Sequence, residues 1–421
     1  MSSQHQTLRI GLFGFGVVGE GLYKVLQQTP SLKASIEKVC IKNATKPRNA
    51  PASLFTTDKN ELLHNSNINV IVEVIDDADA AFQIVSAALR NGKAVVSASK
   101  KMLAEHLPEI LALQQETGLP LLYEASACAS IPVIRNLEEY YDNDLLQSIQ
   151  AIVNGSTNYI LTKMFAEKLS FKEALLQAQQ LGFAESNPTL DIEGYDAVNK
   201  WTLLLNHAYG IVEHPNNLVF NGIQQINSYD ASVAKERGVQ IKLVAQAAKL
   251  NNGTIAAFVL PQWVATSHPL SFVQNEYNGV VIESSLADQQ FFYGKGAGSF
   301  PTASAVLSDI AALRYQYRYE YKKLLQQTPA RLGSDFHIRV YVRFNEASVI
   351  PKSDFAAIEE WHSGQQQQYL IGVIAFSKLQ NSAWWKQPDV ALIATTNPIV
   401  QDVALKNLQK KSLALAGVAV A

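Results

Sequence analysis

The chain has 421 residues, 48% hydrophobic and 17% charged, against roughly 25% charged for an ordinary soluble protein. That excludes a disordered chain and predicts two to three domains with sizeable cores. The 35 Lys and Arg against 37 Asp and Glu leave a net charge of −2, so no global basic field exists to hold nucleic acid or an anionic membrane.

Leu8–Phe13 is a short apolar run ending in glycines, a predicted strand. Residues 17–28 follow as a helix, with Val18, Leu22, Val25 and Leu26 at helical spacing. Residues 36–41 make a second strand, weakened by Glu37 and Lys38, and residues 70–75 and 94–96 are expected as buried strands. Helices over 80–90 and 102–115 and a strand over 119–123 complete the first third. Strands alternating with helices imply parallel βαβ units, hence an α/β, Rossmann-type doubly wound sheet. The middle third predicts helices over 161–181, 197–208 and 231–250, then strands over 254–260 and 279–283. A Gly-rich loop at 294–299 and a helix over 303–321 come next. From Ser334, residues 336–344, 369–376 and 390–394 are expected as strands, 354–361 as a helix and 365–368 as a polar loop. There is no visible internal repeat.

Cys40 and Cys128 are too few for a disulfide framework and fit a reducing cytosol. Residues 1–7 are polar and lack the layout of a signal peptide. No apolar run approaches the ~18–20 residues that cross a bilayer. The expectation is a cytoplasmic protein with no membrane and no nucleic-acid partner.

Gly14-Phe15-Gly16-Val17-Val18-Gly19 follows a strand and opens a helix. Glycines at these places permit a tight turn, close approach to a pyrophosphate and close helix–strand packing, while the helix N-terminus supplies N–H groups. A glycine turn that serves packing alone is the competing reading. About 20 residues on, a carboxylate would hold a ribose 2′-hydroxyl. None stands at the strand end, and Lys42, Lys46 and Arg48 lie nearby. That tilts the cofactor toward NADP, with NAD still open, since such cations also occur in any solvated loop.

The densest polar cluster runs from Gly182 through Glu185, Asp191, Glu193 and Asp196 to Lys200. Asp196 and Lys200 are i,i+4 and share a helix face. Alone, such a pair is an exposed salt bridge; the apolar helix that follows (Trp201, Leu203, Leu204, Leu205, Ala208) places it at the entry to a core instead. Ser97-Ala98-Ser99-Lys100 lies past the C-terminal end of a parallel strand, the edge where open sheets bind ligands. Lys101 is adjacent and competes for that role. Asn154-Gly155-Ser156-Thr157-Asn158 is a polar loop before a helix, and its plain reading is an N-cap.

Together these motifs resemble homoserine dehydrogenase over roughly residues 8–325. Ser97–Lys100 resembles the family's Thr-Ala-Asn-Lys signature, Asn154–Asn158 its Asn-Gly-Thr-Thr-Asn loop, and Asp191-x-x-Gly194-x-Asp196-x-x-x-Lys200 its most diagnostic run. Gly294-x-Gly296-Ala297-Gly298-x-x-Pro301-Thr302-Ala303 closes the set. The resemblance implies reversible NAD(P)H-dependent reduction of L-aspartate 4-semialdehyde to L-homoserine, in the biosynthesis of threonine, methionine and isoleucine. It implies Lys200 as proton donor, Lys100 as a second catalytic cation and Asp191 in support. Glu185, Asp196, Lys200 and Thr157 would contact the substrate. Gly14, Phe15, Gly16, Val17, Val18, Gly19, Lys42, Ser97, Lys100, Gly182 and Gly298 would serve the cofactor. A monovalent cation such as sodium would sit at Glu124, Ala127, Ala129 and Ile131, mostly on backbone carbonyls. No His, Cys and Glu cluster has zinc spacing, and neither cysteine has evident activation as a nucleophile.

The sequence departs from the family pattern in places. Cys128-Ala129-Ser130-Ile131-Pro132 stands for Ala-Gly-Gly-Ile-Pro, Asp76-Asp77 for Gly-Gly, Ser99 for Asn and Asn187 for Asp. The expected domains are 1–130 for the dinucleotide, with 300–328 packing back on it, 131–299 as an α+β substrate and dimerisation domain, and 334–421 as a diverged ACT-like α+β domain. The Gly-Val-Leu turn of that last module is replaced by residues 344–350. A homodimer or larger homo-oligomer is implied. Two other readings stay open at this point: another two-domain Rossmann oxidoreductase, and a dinucleotide sensor without catalysis.

Overall fold

Strand β1 (Leu8–Phe13) is apolar along nearly its whole length because parallel strands are covered on both faces. The computed structural model describes residues 7–143, 145–326, 328–364, 367–401 and 405. In it, β1 pairs in parallel with β2 (Ala34–Cys40) on one side and β4 (Val70–Glu73) on the other. With β3 (Phe55–Thr56), β5 (Ala94–Ser97) and β6 (Leu121–Leu122) the sheet runs β3-β2-β1-β4-β5-β6. The connecting helices are α1 (Val17–Gln28), α2 (Asn60–Leu63), α3 (Ala78–Arg90), α4 (Lys100–Glu105) and α5 (Leu107–Thr117). Asp77 caps α3, accepting from the Ala80 N–H at 3.0 Å, so one of the two aspartates in the family's Gly-Gly position starts a helix.

The next stretch begins with α6 (Val133–Arg135) and β7 (Leu146–Ile152), a strand with no sequence expectation. The expected helix over 161–181 is two helices, α7 (Gly155–Glu167) and α8 (Phe171–Gln180). The break falls where Lys168 adopts φ 57° and Ser170 with Glu173 forms a capping box for α8. Then come α9 (Thr189–Ile192), α10 (Tyr195–Tyr209), β8 (Val219–Phe220) and α11 (Ser228–Glu236).

The expected helix over 231–250 is corrected. It stops at Glu236, Gly238 turns the chain at φ 68°, and β9 (Val239–Lys249) follows. Ile241, Leu243, Val244, Ala245 and Ala247 are buried on both faces of a central strand, a pattern an apolar run shares with a buried helix. β10 (Ile255–Ala265), β11 (Tyr277–Ser284) and β12 (Asp288–Lys295) continue the sheet. Helix α12 (Ser299–Leu313) lies against α1: a Cβ on Gly21 would meet the Ser299 hydroxyl at 2.6 Å, and that hydroxyl donates to the Val17 carbonyl at 2.8 Å.

The C-terminal strands β13 (His337–Phe344), β14 (Phe355–Ser363), β15 (Gln368–Ala375) and β16 (Ala391–Val400) join the same sheet, ordered β12-β11-β7-β9-β10-β16-β13-β15-β14. Within this group every pairing is antiparallel, in the order of a split βαββαβ unit. Its first crossover helix is replaced by 3₁₀ turns at Ala347–Val349 and Lys352–Asp354, and its second is the five-residue α13 (Phe376–Gln380). The helix expected over 354–361 is therefore corrected to β14, whose Trp361 packs on Phe344 at 5.3 Å. One core, including Phe258, Leu260, Phe336, Val342, Leu370 and Trp385, joins β10 to these strands.

Two compact units result: Met1–Asp144 with Asn199–Pro215 and Gly294–Pro329, and Leu145–Val198 with Asn216–Tyr293 and Ala330–Ala421. Residues 1–6, 144, 327, 365–366, 402–404 and 406–421 lie outside the described residues, and with them parts of the N-terminal, polar-loop and C-terminal expectations. Among the described residues no helix is long and apolar enough to cross a membrane.

Candidate active site

The glycine loop is built as the three glycines require. Gly14 sits at φ 96°, where a Cβ would lie 2.8 Å from the Val74 carbonyl oxygen. A Cβ on Gly19 would lie 2.3 Å from the Gly14 carbonyl oxygen, so only glycine lets α1 start this close to the loop. Helix α1 begins after Gly16 with no side chain capping it among the described residues, leaving first-turn N–H groups such as those of Val17 and Val18 for an anion. Phe15 is buried edge-on against Phe55, so its backbone rather than its ring borders the loop.

Past the end of β2, a pocket of about 440 Å³ is lined by Ile41, Lys46, Arg48, Phe55 and Thr56. Arg48 is held over the Phe55 ring and donates to the carbonyls of Asn43 and Lys46, at 2.7 Å each. Lys46 and Arg48 line the pocket, and Lys42 is exposed on the same loop. The glycine cradle, the uncapped helix start and this pocket fit a dinucleotide.

At the carboxyl edge of β4 and β5, sequence reasoning missed a residue. Glu73 is fully buried; its carboxylate accepts from the Ser97 hydroxyl at 2.6 Å and the Ile75 N–H at 2.7 Å. Ser97 Oγ in turn accepts from the Ser99 N–H at 3.1 Å, shaping the turn that starts α4 at Lys100. Burial pushes the Glu73 carboxyl up to about 7, with Asp76 adding to the rise and the two hydrogen bonds opposing it. Lys101 faces solvent and pairs with Glu105 at 3.8 Å, so Lys100 is the half-buried lysine of the two.

The loop after β6 holds a second buried acid. Glu124 accepts from the N–H groups of Ile134 (2.8 Å) and Arg135 (2.9 Å), and its own N–H donates to Asp309, which pairs with Arg135 at 2.7 Å. Burial, reinforced by Asp309, pushes Glu124 up to about 7. Ala129 keeps a left-handed φ of 43°, where the family pattern has glycine. Nearby, His207 bridges Glu138 (2.8 Å) and the Tyr123 hydroxyl (2.9 Å), and Tyr321 reaches both Tyr123 and Glu138. None of Asp309, Arg135, Glu138, His207 or Tyr321 was expected; a histidine in the apolar run after Lys200 was the one visible signal.

In the second unit, Asn154 caps α7, accepting from the Thr157 N–H at 2.8 Å. Its amide nitrogen donates to Asp191 at 2.7 Å and to Asp196 at 2.8 Å. The turn carrying Asp191 is pressed against Gly222, where a Cβ would lie 1.8 Å from the Ile192 carbonyl oxygen. Asp196 is 6% exposed, and Lys200, one turn on along α10 and in the first unit, is 7% exposed, a degree of burial that charged side chains almost never reach unless paired. Glu185 is exposed, after the turn in which Gly182 (φ 76°) ends α8. Thr157 is fully buried and its hydroxyl donates to the Asn154 side-chain oxygen at 2.9 Å. Gly298, at φ 118°, starts α12.

The family model for homoserine dehydrogenase matches residues 132–311, and that for the homoserine dehydrogenase NAD binding domain matches residues 14–124. Homoserine dehydrogenase of Bacillus subtilis is 34% identical over 357 residues, 80% of this chain and 82% of that protein. A solved homoserine dehydrogenase from Thiobacillus denitrificans has a TM-score of 0.81 at 27% identity, covering 93% of this chain and 98% of that one. A hyperthermophilic archaeal homoserine dehydrogenase, solved in complex with NADPH, has a TM-score of 0.64 at 26% identity over 75% of this chain and 99% of that one. With the glycine cradle, the Lys100 turn and the Asp191–Lys200 run all present, this chain belongs to the homoserine dehydrogenase family of NAD(P)-dependent oxidoreductases.

Proposed function

We propose how this chain's own residues carry out the family's reaction, the reversible reduction of L-aspartate 4-semialdehyde to L-homoserine. When bound, NAD(P)H supplies the hydride. Residues Gly14 to Gly19 hold the pyrophosphate, Ser97 and Lys100 border the nicotinamide end, and Gly182 and Gly298 complete the cofactor set that the family pattern assigns. The aldehyde oxygen, left negative by hydride addition, takes a proton from the Lys200 ammonium, and Lys100 is the second cation that stabilises the developing charge. Glu185 and Asp196 hold the substrate's α-ammonium, with Asp191 in support. Thr157, bonded to Asn154, contacts the substrate from the start of α7. Lys46 and Arg48 in the pocket past β2, with Lys42 on the same loop, favour NADP over NAD.

The observation that carries this reading is the burial of Asp196 and Lys200 together on α10. It is tested by steady-state assay with L-homoserine and each oxidised cofactor. The expected result is turnover with a higher kcat/KM for NADP+ than for NAD+; no turnover of homoserine with either would sink it.

We further propose a monovalent cation such as sodium at the loop of Glu124, Ala127, Ala129 and Ile131. Two buried acids, Glu124 and Asp309, meet there around the one arginine Arg135, and added positive charge would offset their repulsion. The strand order of residues 337–400 supports a diverged ACT-like module. Cys40 and Cys128 are free thiols, in keeping with the cytoplasm. The exposed aromatic rings of Phe291 and Tyr293 on edge strand β12 support a homodimer. Light scattering should return at least twice the 46.3 kDa chain mass, and a single-chain mass would refute the dimer.

A further inference from the structure

Asn154 stands in the second unit with every hydrogen-bonding capacity of its side chain assigned. Its oxygen accepts from the Thr157 N–H at 2.8 Å and the Thr157 hydroxyl at 2.9 Å. Its nitrogen has two hydrogens. One goes to Asp191 Oδ1 at 2.7 Å and the other to Asp196 Oδ2 at 2.8 Å. The amide cannot be turned over, because its oxygen would then face two carboxylates and its nitrogen the donors of Thr157.

One nitrogen bonded to both acids fixes their spacing: the two carboxylate oxygens stand no more than 5.5 Å apart, the sum of the two bond lengths. Like charges that close repel, and the Asn154 amide between them helps hold them together. The loop that does so is itself clamped. A Cβ on Gly155 would lie 2.5 Å from the Glu276 carbonyl oxygen. The Asn158 amide donates to the carbonyls of Val273, Asn275 and Tyr277, and the buried Lys242 ammonium donates to Asn158 and Val273. The turn with Asp191 is seated on Gly222, and the Ile223 N–H donates to the Ile192 carbonyl at 2.7 Å. Neither acid can drift from the other without breaking the asparagine bridge.

We infer that Asn154 is a positioning residue that sets the distance and orientation of the Asp191 and Asp196 carboxylates and so tunes the hold on the substrate's ammonium group. This rests on the assignment of those acids to the substrate. An N-cap role alone would make Asn154 a matter of stability, and the two roles separate by substitution. Serine caps a helix about as well as asparagine but is too short to donate to both acids. Asn154→Ser keeps the cap but gives up two hydrogen bonds to carboxylates, so its melting temperature should fall by only about 5 °C. KM for L-homoserine should rise at least tenfold, and KM for NADP+ should stay within twofold.

Asn154→Asp is the second variant. It keeps a capping oxygen and replaces the donor nitrogen by an acceptor, and it should show the same split between the two KM values. The inference is overturned if KM for homoserine in both variants rises less than threefold, or if both KM values rise together. Failure of the underlying reading has a different signature, since the wild type would then not turn over homoserine at all.

Discussion

Lys200→Met should lower kcat for homoserine oxidation by about two to four orders of magnitude, the range that general acid–base catalysis contributes. NADPH binding, followed by fluorescence titration, should stay within twofold. A hydride arriving at an aldehyde carbon leaves charge on oxygen, and a buried ammonium is both a stabiliser of that charge and a proton source. Lys200 is 7% exposed, so water competes little for that proton. Methionine matches the aliphatic stem but leaves Asp196, one turn earlier on α10, without that cation on its helix face. The variant Lys200→Arg separates the two contributions. Arginine keeps the charge yet does not deprotonate in proteins, so it should keep the cation on the helix face of Asp196 but not the rate. A methionine variant within a few-fold of wild type would remove Lys200 from the reaction, and an arginine variant with wild-type kcat would reduce its role to charge stabilisation.

The parts of this enzyme that sequence reasoning reached are those whose residues are neighbours in the chain. The Gly14–Gly19 cradle, the Ser97–Lys100 turn and the Asp191–Lys200 run each sit inside one strand-to-helix or helix-to-helix connection, where spacing translates directly into geometry. The buried network of the first unit was not legible, because its bonds join residues far apart. Glu124 meets Asp309 across 185 positions, Tyr321 meets Glu138 across 183, and Glu73 meets Ser97 across 24. A carboxylate in an apolar strand such as Val70–Glu73 gives no sign in the sequence of the hydroxyl that will satisfy it.

The misread elements have a different cause. β9 is buried on both faces and so loses the alternation that marks a strand. In β14, Phe355, Ala357, Ile358 and Trp361 fit a helical stripe as well as a pleated one, and only its pairing with β15 decides. The Asn154 loop shows both sides of the problem. Its capping role follows from residue type, whereas its bridge to Asp191 and Asp196 spans 37 and 42 positions and needs the fold.

Glu73→Gln should raise stability in mild alkali and do progressively less as the pH falls. Burial moves the Glu73 carboxyl from 4.5 up to about 7. A group raised in the folded state binds more protons there than in the unfolded chain, so its contribution is fully present below pH 4.5 and is lost as pH rises through 7. Above that, the native state carries an ionised carboxylate out of water, a cost of about 3 kcal/mol for a rise of this size. Glutamine has the same shape and no charge at any pH. Its oxygen can accept from the Ile75 N–H, and its nitrogen can meet the Ser97 hydroxyl, which still accepts from Ser99. Melting temperatures of the two proteins should therefore differ by about 5 °C or more at a pH near 8.5, with the variant higher, and the gap should shrink to less than half near pH 5.5. A gap that did not change with pH would mean that Glu73 does not titrate in this range. The Ser97 hydroxyl that donates to Glu73 accepts in turn from the Ser99 N–H, which ties this carboxyl to the turn that starts α4 at Lys100. Should the glutamine variant also keep full activity, the charge itself would have no part in placing Lys100, and the hydrogen-bond geometry alone would suffice.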